Sequence, residues 1–256
     1  MIPGDIKERL ERARKVCVFT GAGVSAESGI PTFRGTDGLW ENHPVEDLVT
    51  PQGFRRDPAL VWRWHLWLHD LSVSVEPNAA HSVIAEMDSY YPEFLTVTQN
   101  IDNLHERAGT DRMVKLHGDI TQMICLGCGR VHPMPSVVDR DSIMADTLPK
   151  CPECGAACRP NVVWFGELLP VEPLLAGREF AADCDVLLIV GTSGVVSGGY
   201  GFAELGRAAG ALVIEVNPER SALSHLAHIR IRRPAAESLP ELFEGILDRG
   251  VAKRLR

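Results

Sequence analysis

One junction constrains the fold of this chain more than any other. Lys15-Val16-Cys17-Val18-Phe19-Thr20 is a short, apolar, β-branched run, and it passes without a linker into Gly21-Ala22-Gly23-Val24-Ser25-Ala26. A run of this length and composition reads as a strand covered on both faces. Glycines at its carboxyl end allow a ligand to approach the backbone at the edge of a parallel sheet.

Three further runs repeat the pattern. Phe94-Leu95-Thr96-Val97-Thr98 ends at Gln99-Asn100, Asp185-Val186-Leu187-Leu188-Ile189-Val190 ends at Gly191-Thr192-Ser193, and Ala211-Leu212-Val213-Ile214-Glu215-Val216 ends at Asn217. Helical periodicity lies between them, over residues 79–89 and 199–209. Alternating strands and helices predict an α/β fold, a doubly wound, mostly parallel Rossmann-like sheet. Two stretches break the rhythm. Residues 36–76 are rich in Trp and His, and residues 120–165 carry the cysteine pairs with Pro133, Pro135, Pro149 and Pro152. The expected organisation is a large domain of residues 1–35, 77–119 and 166–256. Residues 36–76 and 120–165 form a smaller helical and zinc-ribbon domain made from two insertions.

The glycine run matches G-x-G-x-x-G/A, in which Gly21 and Gly23 admit a pyrophosphate and a following helix N-terminus favours its charge. Alone, the pattern serves equally well as a tight turn; the preceding strand makes a nucleotide loop the better reading. A dehydrogenase of this fold carries an acid at the end of a second strand about 20 residues on. Here that position falls at Asp37 and Glu41, with no apolar strand before it, so hydride transfer loses support.

Cys125-Leu126-Gly127-Cys128 and Cys151-Pro152-Glu153-Cys154 stand 22 residues apart. Paired CxxC motifs at this spacing predict one tetrahedral zinc held by Cys125, Cys128, Cys151 and Cys154, a far more specific signal than four unrelated thiols. Four thiolates leave no open position, so the zinc is structural. Cys158 is a spare thiol nearby. The remaining composition sets bounds. The net charge of −8 argues against nonspecific nucleic-acid binding. No apolar stretch approaches the length of a membrane helix, and the amino-terminal residues have no apolar signal core, so a cytoplasmic protein is expected.

Thr98-Gln99-Asn100-Ile101-Asp102-Asn103-Leu104-His105 and Lys115-Leu116-His117-Gly118 follow apolar segments. Their polar tips are therefore expected at the carboxyl edge of the sheet. An imidazole there can act as a general base near neutral pH, although a lone histidine is more often a hydrogen-bonded structural residue.

Taken in order, these segments resemble one family, the sirtuins, NAD-dependent protein-lysine deacylases. The similarity runs from Gly21 through Glu27-Ser28-Gly29-Ile30-Pro31-Thr32-Phe33-Arg34, Gln99-Asn100-Ile101-Asp102, Leu116-His117-Gly118, the cysteine quartet, Phe165-Gly166-Glu167, Gly191-Thr192-Ser193 and Val216-Asn217. A series of this kind is more specific than any member of it. The Glu76-Pro77-Asn78-Ala79-Ala80-His81 segment is most similar to the class III branch, of bacterial and archaeal type.

The resemblance implies a mechanism. The acyl-lysine oxygen attacks the ribose carbon bearing nicotinamide, nicotinamide leaves, and an alkylimidate forms. His117 is then the base that deprotonates a ribose hydroxyl, giving free lysine, nicotinamide and O-acyl-ADP-ribose. Asn100 orders the ribose and a water, Ile101 and Asp102 hold the carboxamide, and Gln99 holds the ribose hydroxyls. Phe33 shields the reacting carbon and Arg34 helps to hold the diphosphate. Gly21, Ala22, Gly23 and Ala26 form the phosphate loop. Gly191, Thr192, Ser193, Asn217 and Ala235 complete the NAD contacts. An acyl-lysine protein or peptide adds as a strand between Val163-Trp164-Phe165-Gly166-Glu167 and the segment after Ser193. Val163, Phe165 and Gly166 lie at the lysine tunnel.

Three departures stand out. Where desuccinylating members carry Tyr-x-x-Arg, this chain has His65 and Leu68. A leucine cannot pair with a carboxylate, which predicts acetyl or longer apolar acyl chains, with Trp64 and Trp67 nearby, and weak activity on succinyl-lysine. Ser197-Gly198-Gly199 replaces the common Tyr-Pro-Ala, and Asn161 stands where His is frequent. The glycine-rich edge keeps a rival open: an ADP-ribosyltransferase or NAD glycohydrolase using the same NAD site. A non-enzymatic zinc-bearing binding module is a second rival, disfavoured by the Asn100, Asp102 and His117 set.

Overall fold

A computed structural model describes residues 4–32, 44–135 and 142–247. In chain order, α1 (Gly4–Arg12) leads into β1 (Lys15–Thr20). Next come α2 (Val45–Leu48), α3 (Pro51–Arg56), α4 (Pro58–Ser74), α5 (Ala79–Tyr90) and β2 (Glu93–Thr98). The chain continues through α6 (Leu104–Arg107), β3 (Met113–Lys115), β4 (Gly118–Cys125), β5 (Val131–Pro133) and β6 (Cys158–Val162). It ends with α7 (Val171–Ala181), β7 (Val186–Val190), α8 (Phe202–Ala208), β8 (Leu212–Val216), β9 (Ile229–Ile231) and α9 (Ala235–Phe243).

Local chemistry explains where several helices begin. α3 and α4 start on Pro51 and Pro58, whose missing N–H costs nothing in the first turn. The preceding Thr50 and Asp57 accept the N–H groups of Gly53 and Leu60. α5 opens with a reciprocal cap: Asn78 accepts from Ala80 N, and His81 Nδ1 accepts from Asn78 N.

Six strands form one sheet in the order β3-β2-β1-β7-β8-β9, with every neighbouring pair parallel. The α/β, doubly wound expectation holds. Alternate residues feed two cores. Val16, Val18, Leu188, Val190 and Ile214 meet Leu10 of α1, Ile84 of α5 and Leu239 of α9. Cys17, Phe19, Leu187, Ile189 and Val213 meet Ala181 of α7 and Phe202 of α8. The winding reverses between β1 and β7, which opens a crevice at the carboxyl ends of those strands.

β4 pairs antiparallel with β5 and β6 in a separate three-stranded sheet. Its core is shared with the helices before α5: Leu48, Phe54, Trp62 and Leu66 pack with Ile120, Met123, Cys158 and Trp164. β3 and β9, three residues each and only partly buried, are too short to be read from the sequence as strands. One expectation needs correction. The helix expected over 199–209 begins only at Phe202, because Tyr200 (φ 58°) and Gly201 (φ 76°) both adopt the left-handed region, which a right-handed helix cannot include. Among the described residues, no helix is long and apolar enough to cross a membrane.

Candidate active site

The glycine loop lies on the switch point. Gly21 N donates to Val190 O, and Gly23 N donates to Gly191 O at 2.8 Å. A β-carbon on Gly23 would stand 2.7 Å from Gly191 Cα, and one on Gly191 (φ 61°) would stand 2.4 Å from Val24 N. The loops after β1 and β7 therefore interlock backbone to backbone, which only glycine permits. Among the described residues, no full helix directly follows the loop. Two 3-10 turns, Ala22–Val24 and Ala26–Ser28, end at Gly29 (φ 99°), so the N-terminal dipole of a full helix does not contribute here. Ala26 is exposed, and Ala22 faces a cavity that it lines with Ile30, Leu68, Asn100, Ile101 and Asp102.

A buried polar chain backs that cavity. Asn100 Nδ2 donates to Ser25 Oγ at 3.1 Å, and Ser25 Oγ donates to Asp102 Oδ2 at 3.0 Å. Because Asn78 N occupies His81 Nδ1, the opposite nitrogen carries the proton and faces Ser25 Oγ at 3.4 Å. Burial holds His81 down to about 4. Burial also pushes the Asp102 carboxyl up, against the pull of the Leu104 N–H and the Ser25 hydroxyl. Along the edge, Thr192 Oγ1 donates to Gln99 Oε1 at 2.6 Å and Asn217 Nδ2 donates to Thr192 O at 2.8 Å. Ser193 O accepts from Ala222 N at 2.9 Å. Ala235, the first residue of α9, is buried, and the N–H of Ala236 is taken by Glu27.

His117 stands where the two sheets meet. Leu116 N still donates to Thr98 O of the large sheet, while His117 O accepts from Val163 N beside the small one. Gly118 (φ 82°) makes the turn; a β-carbon there would lie 2.1 Å from Asn161 O. His117 Nδ1 donates to Gln99 O at 2.7 Å, which leaves Nε2 as the acceptor, and the Tyr200 hydroxyl donates to it at 2.7 Å. Burial lowers the His117 pKa and the Gln99 carbonyl opposes it. A neutral ring with its lone pair on Nε2 is in the form that removes a proton.

The segment after β6 alternates. Val162 and Trp164 point into the small-sheet core, while Phe165 is 54% exposed and Gly166 (φ 88°) is exposed. Arg159 fixes this segment: its guanidinium lies 3.4 Å from the Trp164 ring centroid and bonds Glu167 at 2.9 Å. Burial alone would raise the Glu167 carboxyl, but Arg159 and the Trp164 N–H outweigh it and hold it below the usual range. Leu68 lines the cavity beside Ile101. His65 is fully buried, donating from Nδ1 to Val61 O at 2.8 Å and accepting from Trp164 Nε1 at 3.2 Å. Phe33 and Arg34, with Asp37 and Glu41, lie outside the described residues.

The four cysteines converge. Their sulfurs lie within 4.8 Å of one another, with Cys125 to Cys154 at 3.4 Å and Cys128 to Cys151 at 3.8 Å. Four sulfurs about 2.3 Å from a tetrahedral zinc stand about 3.8 Å apart, so the cluster fits that ion. The two knuckles are alike: Gly129 N donates to Cys125 O and Gly155 N to Cys151 O, both at 3.0 Å. The N–H groups of Cys128 and Gly127 hold the Cys125 thiol down to about 6. Cys158 is buried in the core next to the cluster and is not one of the four.

Sequence reasoning missed Ser25, His81 and Tyr200. Ser25 lies inside the glycine run and His81 inside the branch-specific segment, so both were in view, but only the fold joins Ser25 to Asp102 and His81 to Ser25. Nothing in the sequence around Tyr200 points to His117, 83 residues away.

Comparison with known proteins agrees with this geometry. A model of the Sir2 family matches residues 21–198. The NAD-dependent protein deacylase 2 of Pyrobaculum aerophilum is 44% identical over 242 residues, covering 94% of this chain and 95% of that protein. A crystal structure of a Sir2 homologue–NAD complex superposes with a TM-score of 0.88 at 35% identity, covering 97% of this chain and 95% of that one. A Sir2–p53 peptide–NAD+ structure has a TM-score of 0.83 at 26% identity, covering 95% and 98%. With the family match extending over most of its length, the chain belongs to the Sir2 family.

Proposed function

We propose that this protein is an NAD-dependent protein-lysine deacylase. The observation that carries the reading is His117: a neutral imidazole, its tautomer set by the Gln99 carbonyl, on the same sheet edge as Asn100, Asp102 and the glycine loop. The side chains there suit a dinucleotide. Gln99, Thr192 and Asn217 offer hydrogen-bonding groups to ribose, Ala22 and Gly23 an open backbone to phosphate, and Ile101 and Asp102 a half-apolar, half-polar seat to a carboxamide. Bound NAD would supply an ADP-ribosyl group: the acyl oxygen would bond to the ribose carbon as its bond to nicotinamide breaks, and one water, added after the ribose hydroxyl has attacked the acyl carbon, would let the lysine amine leave. His117 Nε2 takes the proton of a ribose hydroxyl. Asn100, held by Ser25, orients that ribose. Phe33 and Arg34 shield the reacting carbon and hold the diphosphate. Val163, Phe165 and Gly166 receive the peptide, and positioning with exclusion of water does most of the work. Zinc, bound by Cys125, Cys128, Cys151 and Cys154, holds the small sheet and takes no part in a step.

Leu68, beside Ile101 and Ile120, supports acetyl or longer apolar acyl chains as substrates. His65, with both nitrogens occupied, acts as a buried support for that wall rather than as a contact. The deciding experiment is mass spectrometry of products from NAD with acetyl-, myristoyl- and succinyl-lysine peptides. The expected products are O-acyl-ADP-ribose, nicotinamide and free lysine, with succinyl-lysine the poorest substrate. ADP-ribosylated protein or free ADP-ribose without the O-acyl product would replace this reading with the transferase or glycohydrolase one. Under the deacylase reading, His117→Ala lowers kcat by about 10²–10⁴ with the fold intact.

A further inference from the structure

We propose that the Tyr200 hydroxyl caps His117 in the free protein and must leave Nε2 before a ribose hydroxyl can reach it, so that Tyr200 is a positioning residue gating the base. The proposal rests on the deacylase reading of His117 given above. Its first support is stoichiometric. With Nδ1–H committed to the Gln99 carbonyl, a neutral imidazole has one remaining acceptor lone pair, and Tyr200 donates to it at 2.7 Å. A second donor cannot share that lone pair in good geometry. Proton abstraction by Nε2 therefore requires the tyrosine to move off.

The second support is conformational. Tyr200 is the non-glycine residue that adopts a positive φ among the described residues, at 58°. A side chain with a β-carbon is disfavoured in that region, and an aromatic residue held there signals strain that the surroundings enforce. The enforcing contacts can be named. The Tyr200 carbonyl accepts from the Arg178 guanidinium of α7. Gly201 follows at φ 76°, where a β-carbon would lie 2.8 Å from Arg178 Nη1. The ring stands edge-on to His117, with centroids 6.0 Å apart, and to Phe202, 6.2 Å apart. Arg178 thus holds the backbone of Tyr200 while His117 holds its hydroxyl. Strain of this kind lowers the cost of leaving, and a capped and an uncapped state exchange according to which partner Nε2 has.

Tyr200→Phe tests the gate, and Tyr200→Gly repeats the test with the left-handed strain relieved. In the free protein, loss of the donor to Nε2 removes a stabiliser of the neutral ring. The pKa of His117, followed by imidazole NMR, then rises by roughly half to one pH unit. The acid limb of kcat/KM, which needs neutral His117, moves to higher pH by the same amount. Because the competent state no longer competes with the cap, KM for NAD falls by roughly threefold or more, and the change does not fall on kcat. A loss of tenfold or more in kcat at unchanged KM would overturn the proposal by placing the hydroxyl in the proton path itself. A silent variant, with His117 titration and KM both unmoved, would overturn it as well. Failure of the deacylase reading is seen separately, as no O-acyl product from the unaltered chain before any variant is made.

Discussion

In the parallel sheet every residue of β7 and β8 is buried, whereas β4 of the antiparallel sheet buries three of its eight residues and β5 none. The first region can be held by apolar burial alone, at about 1.5–3 kcal/mol for each Leu, Ile or Val side chain removed from water. The second cannot: its outer strand has nothing to bury, and its far end is closed by sulfur. The lesson is that the two walls of the site differ in kind. The wall carrying Gln99, Asn100 and Thr192 is a packed sheet, and the wall carrying Val163 and Phe165 depends on a metal cluster and on the helices it shares a core with. His117, bonded to both, registers any slip between them.

The sharpest way to break this comparison is to remove the metal. Chelation, or Cys128→Ser, is expected to release the antiparallel sheet and abolish turnover while the parallel sheet persists, since zinc binding to a structural site is worth on the order of 10 kcal/mol. Limited proteolysis of 118–165 alongside far-UV circular dichroism reads it; an unchanged digest after metal loss would mean that apolar burial suffices there too. Next in size is Leu188→Ala in the middle of β7. It is expected to cost about 2–5 kcal/mol in urea unfolding, because the cavity cannot collapse between two packed faces, and to leave the metal content untouched. Smallest is acid. His65, in the small-sheet core, is pushed down to about 4 by burial. Its folded-state pKa lies below the unfolded value of 6.5, so the unfolded chain takes up the proton first. Stability is lost as pH falls from 6.5 to about 4 and no further below it, by about 3 kcal/mol at most. His81 behaves alike on the parallel-sheet side, so acid, unlike chelation, weakens both regions. A urea midpoint independent of pH between 7 and 4.5 would contradict this.

Much of the parallel sheet was legible because burial on both faces forces a strand to be apolar throughout. β1, β2, β7 and β8 stood out for that reason, and β3 and β9, short and at the sheet's edges, did not. The cysteine quartet was legible because four ligands to one ion need a fixed local spacing within each pair. The glycine run was legible as a loop but misread as the start of a helix. The same glycines serve close loop-to-loop packing, and the sequence does not distinguish that use from phosphate binding.

What the amino-acid sequence determined by itself is the set of local decisions: which runs form buried strands, where helices are capped, which thiols pair into knuckles, and which polar residues follow each strand. Only the tertiary structure decided that Ser25 joins Asn100 to Asp102, that His117 spans two sheets, and that Tyr200 meets its Nε2. The Ser25 and Tyr200 contacts link residues from 75 to 83 positions apart. No local propensity encodes a hydrogen bond across such a distance; it exists because sheet order and the sharp turn at Gly118 bring the partners to one edge.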